Sequence, residues 1–295
     1  MSLNVRVFHS EDLPVLVRLL NGEFSGSYEF IPYDVEVFRR EIVERNFRVL
    51  VAEKDGEVLG CVVYNRNPRG EEIHWLAALS GNFRKAVEEA LVDAVERNAE
   101  SGEVFTSVDA DSPKIGFWSS RGYKIEGGLY HMLVKLDSVK PLPKVPEGVT
   151  LRSLMCGEDK KLVETVNSGY GFERLREDHI SKWKSEHPPF DESWVHVAEA
   201  DGKIVSAVVS RPDTEYNVFF KAKRGYLGPA VTLPEYRGKN LASALTCRAM
   251  NFLYEKGMDS VSLYTLEQNT PSVTLLTKLG FKVAHHWKFL HKKLS

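Results

Sequence analysis

Cysteine is scarce in this chain. Cys61, Cys156 and Cys247 are isolated, odd in number and in no CxxC arrangement. That argues against a disulfide framework and a thiolate zinc site and suits a reducing cytosol, with each thiol read as a small buried apolar side chain. Long apolar runs are also missing. None approaches the roughly 20 residues of a bilayer span, and the N-terminus has no apolar signal-peptide centre, so a cytoplasmic protein with no membrane partner is expected. Excess charge of either sign is missing too. The 39 Lys and Arg against 41 Asp and Glu leave a net charge of -2, so no global field draws the chain to nucleic acid and any grip on phosphate must be local. No GxGxxG follows the first strand, which weighs against a dinucleotide-binding Rossmann domain.

What is present is a repeat. "VAEKDGEVLGCVV" (Val51 to Val63) reads almost as "VAEADGKIVSAVV" (Val197 to Val209), an offset of 146 residues that also lays Arg6 on Arg152. Later, "SSRGYK" (Ser119 to Lys124) answers "TKLGFK" (Thr277 to Lys282) at an offset of 158, so the second copy has gained about a dozen residues. Three collinear matches indicate two copies of one unit. Between them "DSVKPLPKVPEGV" carries three prolines, which fix φ and lack an N–H, so it reads as a linker. The expected organisation is residues 1–137, a Pro-rich linker 138–148, and residues 149–295.

Each copy begins with a short Arg-bearing strand and a helix. Two β-branched runs follow, joined at Asp55-Gly56 or Asp201-Gly202, a strong hairpin signal. Then come a strand, a helix, a strand, a helix and final strands. Gly122 and Gly280 follow helix ends. Hairpins mixed with helical crossovers predict an α/β fold with a mixed sheet, α+β in character.

"GYLGPAVTL" (Gly225 to Leu233) reads as a strand and "NLASALTCRAMNFLYEKG" as a helix with an apolar face of Leu241, Leu245, Ala249, Phe252 and Leu253. The loop between them is "PEYRGK". The first helical N–H groups lack intrahelical partners and the macrodipole favours an anion there. Arg237 and Lys239 would add charge-assisted bonds. The triplet Arg237-Gly238-Lys239 alone reads as an ordinary helix start with solvated cations; the strand, loop and helix together suit a diphosphate.

"VTLPEYRGKNLASAL", followed by "EQNTPSVTLLTKLGF", resembles the GNAT superfamily of acetyl-CoA-dependent N-acetyltransferases, whose hallmark Q/R-x-x-G-x-G/A here reads Arg237-Gly238-Lys239-Asn240-Leu241-Ala242. Asn269 and Gly280-Phe281 match the family's later Asn and Gly-Phe. The resemblance covers the second copy and, more weakly, the first. It implies two tandem GNAT-like acyl-CoA N-acyltransferase domains and acetyl-CoA as co-substrate, with no metal. The implied cofactor contacts are Val231, Thr232, Leu233, Arg237, Gly238, Lys239, Asn240, Leu241, Ala242, Asn269 and Ser272, with N–H groups of Val231 to Leu233 facing the thioester oxygen. Two departures stand out. Asn240 replaces a glycine, and Asn tolerates turn conformations. Leu276, and Trp118 in the first copy, stand where many members carry a proton-donating tyrosine. In "SGNFRKAVEEAL" Glu88 falls on Ala242, followed by Glu89; carboxylates there repel phosphate, so the first copy is expected to be degenerate.

Glu267, Tyr264 and Tyr226 are the candidates for base chemistry, against readings as a solvated carboxylate and half-buried strand aromatics. His285 and His286 are adjacent on a strand and face opposite sides, so they do not readily share one metal ion. "GYGFERLREDHISKWKSEHPPF" (Gly169 to Phe190) reads as irregular; it either lines an acceptor cleft or is a solvated surface. The leading expectation is acetyl transfer to a primary amine of a small molecule by direct attack on the thioester. Acetylation of a peptide or protein amine and a non-catalytic acyl-CoA sensor are the alternatives. A monomer with an intramolecular pseudo-dimer, or a homodimer, is expected.

Overall fold

The computed structural model describes residues 3–294. The first copy comprises β1 (Asn4–Val7), α1 (Leu13–Phe24), α2 (Val35–Glu44), β2 (Arg48–Lys54), β3 (Glu57–Asn67), β4 (Gly70–Ala78), α3 (Arg84–Arg97), β5 (Glu103–Asp109), α4 (Lys114–Ser120) and β6 (Lys124–Lys135). The second comprises β7 (Val149–Ser153), α5 (Asp159–Tyr170), α6 (Asp178–Glu186), β8 (Val195–Ala200), β9 (Lys203–Pro212), α7 (Thr214–Phe220), β10 (Arg224–Thr232), α8 (Leu241–Glu255), β11 (Ser260–Leu266), α9 (Thr270–Lys278) and β12 (Lys282–Lys293). The mixed α/β expectation holds. Both Asp-Gly hairpins form, with φ of 52° and 86° at Asp55-Gly56 and 50° and 74° at Asp201-Gly202, the left-handed pair such a two-residue turn requires.

The chain divides into two compact units, but the divide does not lie in the Pro-rich segment. One unit takes residues up to Leu129 together with His286 onward, and the other takes Tyr130–His285. Strands β6 and β12 therefore each pass from one unit to the other. The first unit's strands run in the order β1-β2-β3-β4-β5-β12, the last supplied by the end of the chain, where Trp287 pairs with Asp109 and Lys293 with Glu103. The second unit's order is β6-β11-β10-β9-β8-β7. The linker forms neither helix nor strand, and it is anchored within the second unit: Asn251 bonds Lys140 at both its N–H and its carbonyl (2.8 and 2.7 Å).

The Arg shared by the two first strands has a structural reason. Arg6 pairs with Asp12 at 2.7 Å and Glu53 at 2.8 Å; Arg152 pairs with Glu158 at 2.7 Å and donates to Glu199 at 2.9 Å. Each Arg ties its strand to the following helix start and to the neighbouring strand, and the three positions correspond at the 146-residue offset. Arg152 holds the Glu158 carboxyl down at about 2.

Helices α2, α6 and α7 were not foreseen. α2 has an apolar stripe, with Phe38 buried and Val35 and Ile42 packed against the same core, that the sequence reading passed over; α7 buries no residue fully and carries no such stripe. α7 lies in the dozen-residue gain. α6 sits inside the stretch read as irregular, holding Ile180 and Trp183 in the core. The second unit's core also takes Leu241, Leu245, Ala249, Met250 and Leu253 from α8. Burying each of the larger of these contributes about 1.5–3 kcal/mol, and together they fix the start of α8 against the sheet.

Candidate functional site

The site is built on a strand that leaves its neighbour. β10 runs parallel to β11 only where Arg224, Gly225 and Tyr226 face Ser260, Val261 and Ser262. Against β9, Leu227 faces Ser210 but Ala230 faces Val208, a bulge at Gly228-Pro229. Pro229 has no N–H to offer a ladder. Beyond the bulge β10 stays with β9 through Thr232, while β11 continues to Leu266. The two strands part.

Antiparallel bonding alternates, so residues along β10 turn their backbone groups alternately toward β9 and toward the gap. The Leu233 N–H is committed to the Val205 carbonyl at 2.9 Å. By that alternation Val231 also turns to β9, and its carbonyl accepts from the Ser206 hydroxyl at 2.7 Å. Of Val231, Thr232 and Leu233, the open edge belongs to Thr232, with Ala230 two residues earlier. The Thr232 carbonyl accepts from Arg237 Nε at 3.2 Å and the Ala230 carbonyl from the Tyr170 hydroxyl at 3.2 Å.

The loop after β10 has the conformation an anion site needs. Pro234–Tyr236 make one tight turn, Gly238 has φ 76° and Asn240 has φ 61°, ψ 7°. Asn240 thus takes the left-handed geometry expected of it. Ala244 N–H closes the first helical bond to the Asn240 carbonyl at 2.9 Å. Among the described residues no acceptor pairs with the N–H groups of Gly238, Lys239, Asn240, Leu241, Ala242 or Ser243, and Asn240 supplies no side-chain cap. Arg237 and Lys239 are exposed. Arg237 also donates to the Gly169 carbonyl at 3.2 Å, and Lys239 lies 4.8 Å over the Tyr236 ring. Leu241 belongs to this group by its N–H alone, for its side chain is core. At Gly169 a Cβ would come within 2.1 Å of Val231 Cγ2, so α5 packs directly onto β10 only because position 169 is glycine.

On the far side of the gap Asn269 caps α9, its Oδ1 accepting from Ser272 N–H at 3.3 Å. That bond commits the Ser272 N–H. Leu276 is buried in the core, so the usual tyrosine position is filled with packing. Tyr264 is exposed; its ring stacks on buried His131 with centroids 4.5 Å apart and lies 6.1 Å from Tyr226. Burial pushes the Tyr226 phenol up, so it holds its proton and serves as a donor rather than a base. Glu267 follows the end of β11. Among the described residues no cluster of His, Cys, Asp or Glu is arranged to hold a metal ion, and the His286 carbonyl accepts from Ala110 N–H at 2.9 Å in the first unit.

Sequence reasoning missed Arg211. It sits directly opposite Tyr226 across β9 and β10, its guanidinium 4.4 Å over that ring, with Nη1 donating to the Gly228 carbonyl at 3.2 Å. Cross-strand partners share a face, but β9 and β10 are joined through α7 rather than by a tight turn, so no local signal sets their register.

In the first unit the start of α3 corrects the expected match of Glu88 with Ala242. Ala242 is the second residue of α8, whereas Glu88 is the fifth of α3. Glu88 is buried and neutralised: Arg84 Nε lies at 3.1 Å and Lys114 Nζ at 3.0 Å. Both cations also reach Glu23, at 2.6 and 3.0 Å.

Residues 160–281 match the model of the acetyltransferase (GNAT) family. A mycothiol acetyltransferase of Thermobispora bispora is 30% identical over 165 residues, covering 52% of this chain and 53% of that protein. The chain spans about half the length of the curated relatives first matched. A GCN5-related N-acetyltransferase from Sphaerobacter thermophilus superposes with a TM-score of 0.70 at 20% identity, over 99% of this chain and 95% of that one. A tandem GNAT protein from the clavulanic acid biosynthesis pathway gives 0.70 at 16% identity, over 99% and 98%.

Proposed function

We propose, from the premise that this chain belongs to the GNAT acetyltransferase family through its second half, that its second unit transfers an acetyl group from acetyl-CoA to a primary amine of a small molecule. The observation that carries this is the run of unpaired N–H groups from Gly238 to Ser243, flanked by Arg237 and Lys239, at the end of a strand that has parted from its neighbour. Such donors suit a diphosphate. The open edge of Thr232 and Ala230 offers main-chain groups along which a pantetheine amide chain can pair, as an added strand would. The printed name of the relatives, mycothiol acetyltransferase, supports a small acceptor over a protein.

The chemistry asks two things of the residues beside the gap. An amine with a pKa near 10.4 is free in about 1 part in 2,500 at pH 7, roughly 4.6 kcal/mol of barrier, which a proton acceptor lowers. Glu267 is the proposed acceptor, directly or through water, because Tyr226 is held protonated. The amine nitrogen attacks the thioester carbon, the carbon–sulfur bond breaks, and the sulfur leaves with a proton. Tyr226, and more exposed Tyr264, are the proposed donors, since Leu276 has no proton to give. The Thr232 N–H faces the side where the oxyanion would form, and such donors are typically worth about 3–4 kcal/mol. Asn269, by capping α9, sets the far wall of the gap. The first unit is proposed not to bind acetyl-CoA, its helix starts being joined by Glu23, Arg84, Glu88 and Lys114.

The test is thiol release from acetyl-CoA with a panel of amines, amino acids and peptides, alongside calorimetric binding of acetyl-CoA. Binding with release by small amines is expected. Release by peptides alone would move the assignment to a peptide acceptor; tight binding with no release by any acceptor would make the protein a sensor; no binding would end the acetyl-CoA assignment.

A further inference from the structure

The face of the second unit's sheet beside the bulge holds a positive charge that makes no ion pair among the described residues. Arg211 lies at the end of β9 and is half-buried. Its guanidinium lies 4.4 Å from the Tyr226 ring centre and 5.9 Å from that of Trp183. It has five N–H donors, and among the described residues it makes one hydrogen bond, to the Gly228 carbonyl at 3.2 Å, and no ion pair. The nearest carboxylates are occupied elsewhere: Asp213 with Arg224 at 2.8 Å, and Glu186 with Lys182 at 3.5 Å. A second cation, Arg174, lies within electrostatic reach of both Arg211 and Tyr226 and stacks 5.9 Å over the Tyr170 ring. Burial pulls the Arg211 guanidinium below the usual arginine range; Tyr226, Asp213 and Glu186 oppose that shift in part, and Arg174 adds to it. A mostly sequestered cation without a counter-charge is costly unless something supplies one, and such groups concentrate at functional sites.

The coenzyme's diphosphate does not supply it. Arg211 faces Tyr226, six residues before Thr232 on β10, so roughly 20 Å of strand separates it from the loop at 3.3 Å per residue. The charge sits at the bulge, where β10 and β11 part and where the reacting end of the thioester would lie.

We infer that the acceptor amine carries an anionic group, a carboxylate in the first instance, which docks on Arg211 with Arg174 at the mouth of the same site. The planar guanidinium, fixed between two rings and the Gly228 carbonyl, offers the paired donors a carboxylate takes bidentately. Held there, an amino acid would present its amine toward the bulge and the gap beyond it. This deepens the proposed acetyl transfer and rests on that reading.

The test compares matched acceptors: amino acids against their amides, and phosphoethanolamine against ethanolamine, in wild type, Arg211→Gln and Arg211→Lys. Wild type is expected to prefer acid over amide by roughly 30–100-fold in kcat/KM, carried mainly by KM. In Arg211→Gln that ratio should collapse toward one, and Arg211→Lys should keep part of it. Preference for phosphoethanolamine over every carboxylate would retain the anion site and replace the carboxylate with phosphate. Equal use of acid and amide by wild type, or an equal loss for both in Arg211→Gln, overturns the inference. Calorimetry with acetyl-CoA alone separates the two readings, for its binding should persist in both variants. Should no thiol be released at all, thermal protection by the same acids, absent in Arg211→Gln, reads docking directly; no protection of wild type overturns it.

Discussion

The two copies keep the same frame and treat its open corner in opposite ways. In each, the strand before the central helix follows its parallel neighbour for three residues and then parts from it: Glu71, Glu72 and Ile73 face Val104, Phe105 and Thr106, as Arg224 to Tyr226 face Ser260 to Ser262. In the first, ion pairs join the end of α1 to the starts of α3 and α4; the equivalents in the second are the end of α5 and the starts of α8 and α9. At the 146-residue offset Glu23 corresponds to Gly169, and at the 158-residue offset Lys114 corresponds to Ser272. The first copy thus places an acid on the end of α1 and bases on the starts of α3 and α4, and closes the corner with ion pairs. The second places glycine and serine there, keeps its cations on an exposed loop, and leaves a row of N–H groups unpaired. The lesson is that two copies can keep one frame while a handful of side chains fills the same corner with ion pairs in one and leaves N–H groups without acceptors in the other.

The sharpest way to break that comparison is to strip each corner of its cations. Arg237→Ala with Lys239→Ala should weaken acetyl-CoA binding roughly 10–100-fold by calorimetry, with an unchanged melting temperature, because both side chains are exposed. Arg84→Ala with Lys114→Ala should leave that affinity and a stoichiometry of one per chain untouched. A second molecule bound per chain, lost in the latter variant, would mean that the first corner is open after all.

Next in size is stability. Arg84→Ala leaves half-buried Glu23 and buried Glu88 with Lys114 alone, and should cost about 2–3 kcal/mol in urea unfolding. Adding Glu23→Gln and Glu88→Gln should recover part of the loss. An unchanged midpoint for Arg84→Ala would show that the cluster does not hold the corner shut.

A smaller contrast follows from acid. His196 is buried in the second copy where the first has Leu50, and burial brings its imidazole down to about 3. Its folded pKa lies below the unfolded value near 6.5, so its contribution is complete above that value and is lost as pH falls from about 6.5 toward 3, at up to about 1.4 kcal/mol per pH unit. The second unit should therefore loosen first on acidification, followed by hydrogen exchange or intrinsic fluorescence, and His196→Leu should flatten the slope. Identical slopes for wild type and variant would contradict this.

Smallest is Asn240→Gly. With φ at 61°, glycine removes a left-handed strain that asparagine already tolerates. Stability should move by less than about 1 kcal/mol, and acetyl-CoA affinity by less than twofold. A large loss of affinity would assign the Asn240 amide a direct contact.

Much of the frame was legible because its signals are local. The Asp-Gly turns, the glycines after helices and the apolar face of α8 each depend on a few neighbouring residues. The unpaired N–H groups at the start of α8 were legible for the same reason: a helix start leaves its first N–H groups without intrahelical partners. What escaped depends on register. That Leu233 spends its N–H on Val205 while Thr232 does not, or that Arg211 stands over Tyr226, follows from how three strands align and where a bulge slips them. The unit boundaries escaped because proline marks where a chain cannot be regular, not where strands change company. Glu88 was placed too near its helix start because the offset between copies changes somewhere in that loop.

The route of β6 and β12 carries a practical consequence. Snipping the polypeptide within the Pro-rich segment would not release two self-sufficient pieces. The front piece would lose the edge partner that Trp287 to Lys293 provide for β5, while carrying Tyr130 to Lys135 with nothing of their own unit to rest on. The back piece would suffer the mirror deficit. A fragment carrying only the second copy should therefore be sticky and poorly soluble.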